Sequence, residues 1–145
     1  MRTAARFYAV QALFQMEAAD VGLATVIDEF ETLRFGAEID GATFADPDLL
    51  HFRALLTAAV SEQARVDQLT AAALVARWPI DRIDPTLRAV FRAAGAELVA
   101  TDTPPKVAIN EYVEIAKAFY PDGKEAKFVN GVLDHMARAA RPEAF

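Results

Sequence analysis

The chain has 145 residues, of which 54% are hydrophobic and 25% charged, and it has no cysteine. This excludes a disordered chain, disulfides, iron–sulfur clusters, Cys-ligated zinc and thiol catalysis. The formal charge of −6 argues against a broadly basic, nucleic-acid-coating surface.

The charge is unevenly spread. Between Glu17 and Asp48 nine acids face Arg34 alone, whereas from His51 to Phe145 acids and bases balance at twelve each. Any anion-binding face must therefore be local. No apolar run approaches the roughly 18 residues of a membrane span. The opening Met-Arg-Thr-Ala-Ala-Arg-Phe lacks the pattern of a secretory signal. The expectation is a cytoplasmic protein with a single domain over 1–145.

Apolar residues recur at helical spacing between prolines, and no segment alternates with period two. The spacing predicts seven helices, at about 3–18, 21–35, 47–60, 62–77, 85–100, 105–120 and 124–139, with boundaries good to roughly two to four residues. In the first, Ala5, Ala9, Ala12, Leu13 and Met16 share one face, Phe7, Val10 and Phe14 a neighbouring one, and Gln11 and Gln15 form a narrow polar seam. A helix apolar over most of its circumference belongs in the core or under a partner. The second carries Leu23, Val26, Ile27, Phe30 and Leu33 opposite Asp28, Glu29 and Glu31. Its connector, Gly36–Ala45, is the longest loop. Asp46-Pro47 and Asp84-Pro85 each offer an N-cap acceptor followed by a φ-fixed first residue, and Thr103-Pro104-Pro105 does much the same. Gly95 and Gly131 fall inside helical patterns; for Gly95 the reading is a close helix–helix approach.

Catalytic constellations are nearly absent. Asp48 and His51 share a helix face, but a metal would need further ligands, and His51 reads as a partly exposed helix residue. His135, beside Asp134, reads as a surface residue. Glu111 and Glu114 read as a solvated helix face, because carboxylate-bridged bundles use Glu-x-x-His pairs and none occurs. No H-E-x-x-H, phosphate-binding loop or G-x-S-x-G is present. No enzyme activity, cofactor or metal is expected.

The specific signal lies in the last fifty residues. They contain Pro-x-Lys-Val-Ala-Ile-Asn-Glu ending at Glu111, Ala-Lys-x-Phe ending at Phe119, and Lys127-Phe-Val-Asn-Gly-Val-Leu-Asp134. With Tyr8-Ala-Val-Gln-Ala-Leu-Phe14 and the segment Leu87–Leu98, this resembles the NusB family of bacterial transcription antitermination factors over essentially the whole chain. The resemblance implies an all-α, compact seven-helix fold of two packed subdomains with three and four helices. It also implies binding to a small ribosomal protein acting as NusE, recognition of single-stranded boxA RNA by the pair, and support of RNA polymerase read-through, notably in ribosomal RNA operons. Monomers and homodimers both occur in the family.

Single-stranded RNA is held by aromatic stacking and by cations at the phosphates. Lys117, Phe119, Lys127 and Phe128 supply both within a short span and match family positions near the RNA. The family's arginine-rich run at the start of the first helix is here reduced to Arg2 and Arg6. Each lost phosphate contact lowers affinity and salt dependence, so the isolated chain is expected to bind RNA weakly, with the partner supplying positive surface. Asn110 and Asn130 read as buried amides tying helices together, and Glu111 as a packing or electrostatic residue. Arg88 and Arg92 are candidates to face the protein partner. A competing reading is a NusB-like protein–protein scaffold with little RNA affinity. A third, the accessory domain of a ribosomal-RNA cytosine methyltransferase, would need a fused catalytic domain beyond Phe145.

Overall fold

A computed structural model of the chain describes residues 2–34, 38–39, 42–43, 48–74, 83–121 and 124–145. Its helices are α1 (Arg2–Ala19), α2 (Leu23–Glu29), α3 (Leu49–Ser61), α4 (Gln63–Ala73), α5 (Pro85–Ala100), α6 (Pro105–Phe119) and α7 (Lys124–Ala140). These agree with the predicted set to within two residues, except at the ends of α2 and α4, which come earlier than predicted; of the predicted stretches, 35, 47 and 75–77 lie outside the described residues. α2 runs on into a wider π-type turn over Phe30–Arg34, and a 3₁₀ turn, Pro142–Ala144, follows α7. The expected loop after α2 contains a minimal antiparallel ladder, pairing Glu38 with Thr43 and Ile39 with Ala42, which the sequence reading did not foresee.

The helix starts show which local signals operate. Asp84 accepts from Thr86 N–H at 2.8 Å, with Pro85 as the first helical residue. α3 instead begins at Asp48, whose Oδ1 accepts from His51 N–H at 3.0 Å; Asp46 and Pro47 lie outside the described residues. At α6 the cap position is Pro104, without a side-chain acceptor, because the Thr103 hydroxyl points into the core.

α5 is the hub, in contact with α1, α3, α4, α6 and α7. α1, α2 and α3 pack as one group and α4 to α7 as another, joined where α1 and α3 lie on α5. Eleven of its sixteen residues, Arg88 and Glu97 among them, are buried. Phe52, Phe91, Leu55, Leu56, Leu98 and Tyr112 are fully enclosed in one contiguous core. Each such aliphatic or aromatic side chain contributes about 1.5–3 kcal/mol through removal of apolar surface from water. α1 belongs to that core, through Ala5, Tyr8, Ala9, Val10, Ala12 and Leu13. Gly95 is where α5 passes closest to its neighbours: a Cβ there would clash with Val66 Cγ1 of α4 and lie 3.2 Å from Met136 Cε of α7. Among the described residues no helix is long and apolar enough to cross a membrane.

Candidate RNA-facing surface

The corner where α6 ends and α7 begins carries most of the residues expected to meet RNA. Amphipathic packing fixes their orientation. On α7, Ala126, Val129, Val132, Leu133, Met136 and Ala137 are buried, which turns Lys127, Phe128, Asn130 and Gly131 outward. Lys127 is exposed, and among the described residues it has no ion-pair partner. Phe128 keeps 37% of its surface in solvent while its edge rests on Phe91 of α5, 6.0 Å between centroids. On α6, Lys117 is exposed and paired with Glu114 at 3.1 Å, a solvated pair worth little. Phe119 is half-buried, stacked on Phe7 of α1 at 5.5 Å with the rings 3° from parallel. The two phenylalanines thus rest on different helices, α5 and α1.

The opening of α1 departs from expectation. Arg2 is exposed and lies 3.7 Å from Asp48 Oδ2. Arg6, expected on the RNA face, is only 4% exposed. Its Nε and Nη2 donate to the Glu97 carboxylate at 2.9 and 2.7 Å, and its Nη1 sits 3.3 Å from Glu111. A guanidinium spent in this way offers nothing to a phosphate, so Arg6 is corrected from a surface cation to an internal one. Glu97 accepts also from the hydroxyls of Tyr112 and Thr103, both at 2.8 Å, and His51 Nε2 lies 3.4 Å away. Burial pushes the Glu97 carboxyl up, but the His51 and Arg6 contacts, the Arg6 charge and the Thr103 hydroxyl together hold it well below the usual carboxylate range. Burial likewise opposes the Arg6 charge, and the Glu97 hydrogen bonds and charge overcome it.

Other expectations shift for the same reason. His51 is buried, not partly exposed, because Glu97 draws its ring inward. Glu111 is half-buried and serves α1, accepting from Thr3 Oγ1 at 3.2 Å. Arg88 and Arg92, expected to face a partner protein, instead bind within the chain. Arg88 is buried, paired with Glu17, and donates to the Ile83 carbonyl at 3.1 Å. Arg92 bridges Glu17 at 3.1 Å and Asp67 at 3.0 Å. Together they bind the end of α1 and the face of α4 to α5. Asn110 and Asn130, expected to be buried, are exposed. The Glu97 cluster escaped the sequence reading. Its one visible sign is a carboxylate set in the apolar run Ala93-Ala-Gly-Ala-Glu97-Leu98, where an unpaired charge would be prohibitively costly.

An acidic body with seven α-helices among the described residues, in two packed subdomains, with a small cationic, ring-bearing corner at its last helix junction, defines the class. Residues 3–138 match the NusB family, and the chain belongs to it. It is 46% identical over 144 residues to a transcription antitermination protein NusB of Brucella abortus (strain S19), covering 99% of this chain and 84% of that one. Among solved structures, NusB of T. maritima superposes with a TM-score of 0.78 at 30% identity, over 100% of this chain and 96% of that one. A NusB chain solved with NusE and double-stranded RNA has the same fold, with a TM-score of 0.76 at 24% identity, over 94% of this chain and 96% of that one.

Proposed function

We propose that this protein is a transcription antitermination factor. It binds boxA-type RNA together with a small ribosomal protein acting as NusE and supports read-through by RNA polymerase, notably in ribosomal RNA operons. The observation that carries this reading is the 46% identity to a protein of that name along 99% of the chain. The chain acts in the cytoplasm as one domain, without catalysis or cofactor.

Lys127 and Phe128 lead the RNA contact, Lys127 as a phosphate cation and Phe128 as a stacking surface. Lys117, Phe119 and Arg2 are secondary. The exposure of Lys127, Phe128, Lys117 and Arg2, and the partial exposure of Phe119, support the assignment; Arg6 does not take part. With Arg6 spent internally and a net charge of −6, the isolated chain binds RNA weakly and the ribosomal partner supplies much of the positive surface.

The test is a titration of boxA RNA with and without NusE, on the wild type and on a Lys127→Ala/Phe128→Ala variant. The expected result is tight binding only with the partner, and its loss in the variant with folding and partner binding intact. Unchanged RNA binding by the variant would favour a protein–protein scaffold. Nanomolar binding by the isolated chain would contradict the role given to the partner.

A further inference from the structure

We infer that Glu97 and Arg6 are positioning residues for the RNA-facing surface, holding the opening turns of α1 in the one placement that completes it. The inference rests on the RNA-binding reading above. Its starting point is that three successive polar groups of α1 each meet an acid on a different helix. Arg2 lies 3.7 Å from Asp48 at the start of α3. Thr3 Oγ1 donates to Glu111 of α6 at 3.2 Å. Arg6 forms a forked pair with Glu97 of α5, at 2.9 and 2.7 Å.

The three acids are themselves linked. Asp48 caps the helix that carries His51, whose Nε2 lies 3.4 Å from Glu97. Arg6 bridges from Glu97 to Glu111. Tyr112, one residue beyond Glu111, donates to Glu97 at 2.8 Å, and Thr103 does so from the α5–α6 connection. α1 is therefore fixed both along its axis and about it. A forked guanidinium–carboxylate pair specifies direction as well as distance, and in a site from which water is excluded it is only weakly screened.

That placement reaches the surface through the next residue in the chain. Phe7 follows Arg6 and lies flat against Phe119, so a slide or turn of α1 moves the ring that supports Phe119, and carries Arg2 with it. Lys127 and Phe128 depend on α1 far less, since Phe128 rests on Phe91 of α5. The internal cluster thus sets one half of the RNA-facing surface and leaves the other half in place.

The decisive variant is Arg6→Lys, which keeps the charge and loses the fork. Its affinity for boxA RNA in the presence of NusE is measured over a salt series, with wild type and variants all carrying Arg2→Ala so that the exposed cation that α1 carries cannot itself alter the slope, at a temperature where circular dichroism shows each folded. The expected result is a Kd about tenfold higher, by analogy with the outer partners that orient metal ligands, with an unchanged slope of log Kd against log salt. Tyr112→Phe removes one donor to Glu97 with the least risk to folding, and is expected to raise Kd by a smaller factor at the same slope. It decides the matter if Arg6→Lys does not fold. A folded variant that binds as tightly as the wild type overturns the inference. So does a slope that falls by about 0.7 in Arg6→Gln, the signature of a lost direct phosphate contact. Absence of RNA binding in the wild type would instead remove the functional reading itself.

Discussion

The interior around Glu97 and the corner at the α6–α7 junction are built from the same ingredients. Each has a cation and an aromatic ring, Arg6 with Tyr112 on the Glu97 carboxylate in one and Lys127 with the adjacent Phe128 in the other. They differ in whether an acid lies within reach. Inside, Arg6 has Glu97 on its fork and Glu111 beside it; outside, Lys127 is exposed and has no carboxylate partner among the described residues. Arg88 and Arg92 follow Arg6, each tied to an acid of another helix. In this acidic protein the arginines of α1 and α5 that border the core are mortar between helices. Cations left for an anionic ligand are those which the packing turns outward, where any acid they meet, as Lys117 meets Glu114 and Arg2 meets Asp48, is itself solvated. The planar guanidinium suits the first role, and the hydrated ammonium on a flexible stem suits the second.

The sharpest way to break this contrast is to remove the central carboxylate. Glu97→Gln is expected to destabilise the protein by about 3–5 kcal/mol, because it removes the buried partner of the Arg6 charge and leaves only the more exposed Glu111 beside it; thermal or urea denaturation measures it. The pH dependence follows from the same group. Its carboxyl is held below the ordinary value of 4.5 in the folded state, so its contribution is complete above that pH and is lost as the pH falls further. Glu17 and Glu31, lowered by hydrogen bonds from Arg88 and Arg53, act in the same sense. Stability should be level from neutrality to about pH 5 and decline below, more gently in Glu97→Gln. An equal acid slope in the variant would mean that the outer carboxylates, not Glu97, govern acid unfolding.

At the outer region the effect should appear in binding and not in folding. Phe128→Ala is expected to cost about 1–3 kcal/mol of boxA affinity, the scale of one base stacked on one ring. The melting temperature should move little, since the ring is 37% exposed and touches the core only at its edge. A large fall in melting temperature without loss of affinity would place Phe128 on the structural side of the comparison.

How much of this was legible beforehand depended on the reach of each signal. The seven helices were legible because their causes are local: period-3.6 stripes, and Asp84-Pro85 as cap and first residue. The wider turn that ends α2 has no local marker and was read as ordinary helix. Lys127 and Phe128 were singled out by motif, and the structure leaves both exposed. Arg6 was misplaced because its partner stands 91 positions away, and a lone arginine near the N-terminus reads the same whether it points in or out. His51 was misread for the same reason. Asn110 and Asn130 were misread through phase. Asn110 lies in the apolar stretch Val107-Ala-Ile-Asn110, but Val107 itself is 44% exposed, so apolar neighbours in sequence do not mark the inner face there. Asn130, next to the buried Val129, sits one step off the inner face of α7.

The smallest expected effect is the one that separates the two regions most cleanly, because a single kind of substitution should change sign between them. Gly95→Ala puts a methyl group against Val66 and Met136 and is expected to cost about 1–3 kcal/mol through overpacking. Gly131→Ala has nothing within 4 Å to meet, and should recover up to about 1 kcal/mol of helix propensity. Both glycines sit in helix interiors and their side-chain chemistry is identical, so the difference reports only on what surrounds each helix face. Paired thermal melts of the two variants measure it. If Gly131→Ala also destabilised, the outer face of α7 would be packed against part of the chain itself. Lys127 and Asn130, which share that face, could then no longer be counted as open to a ligand.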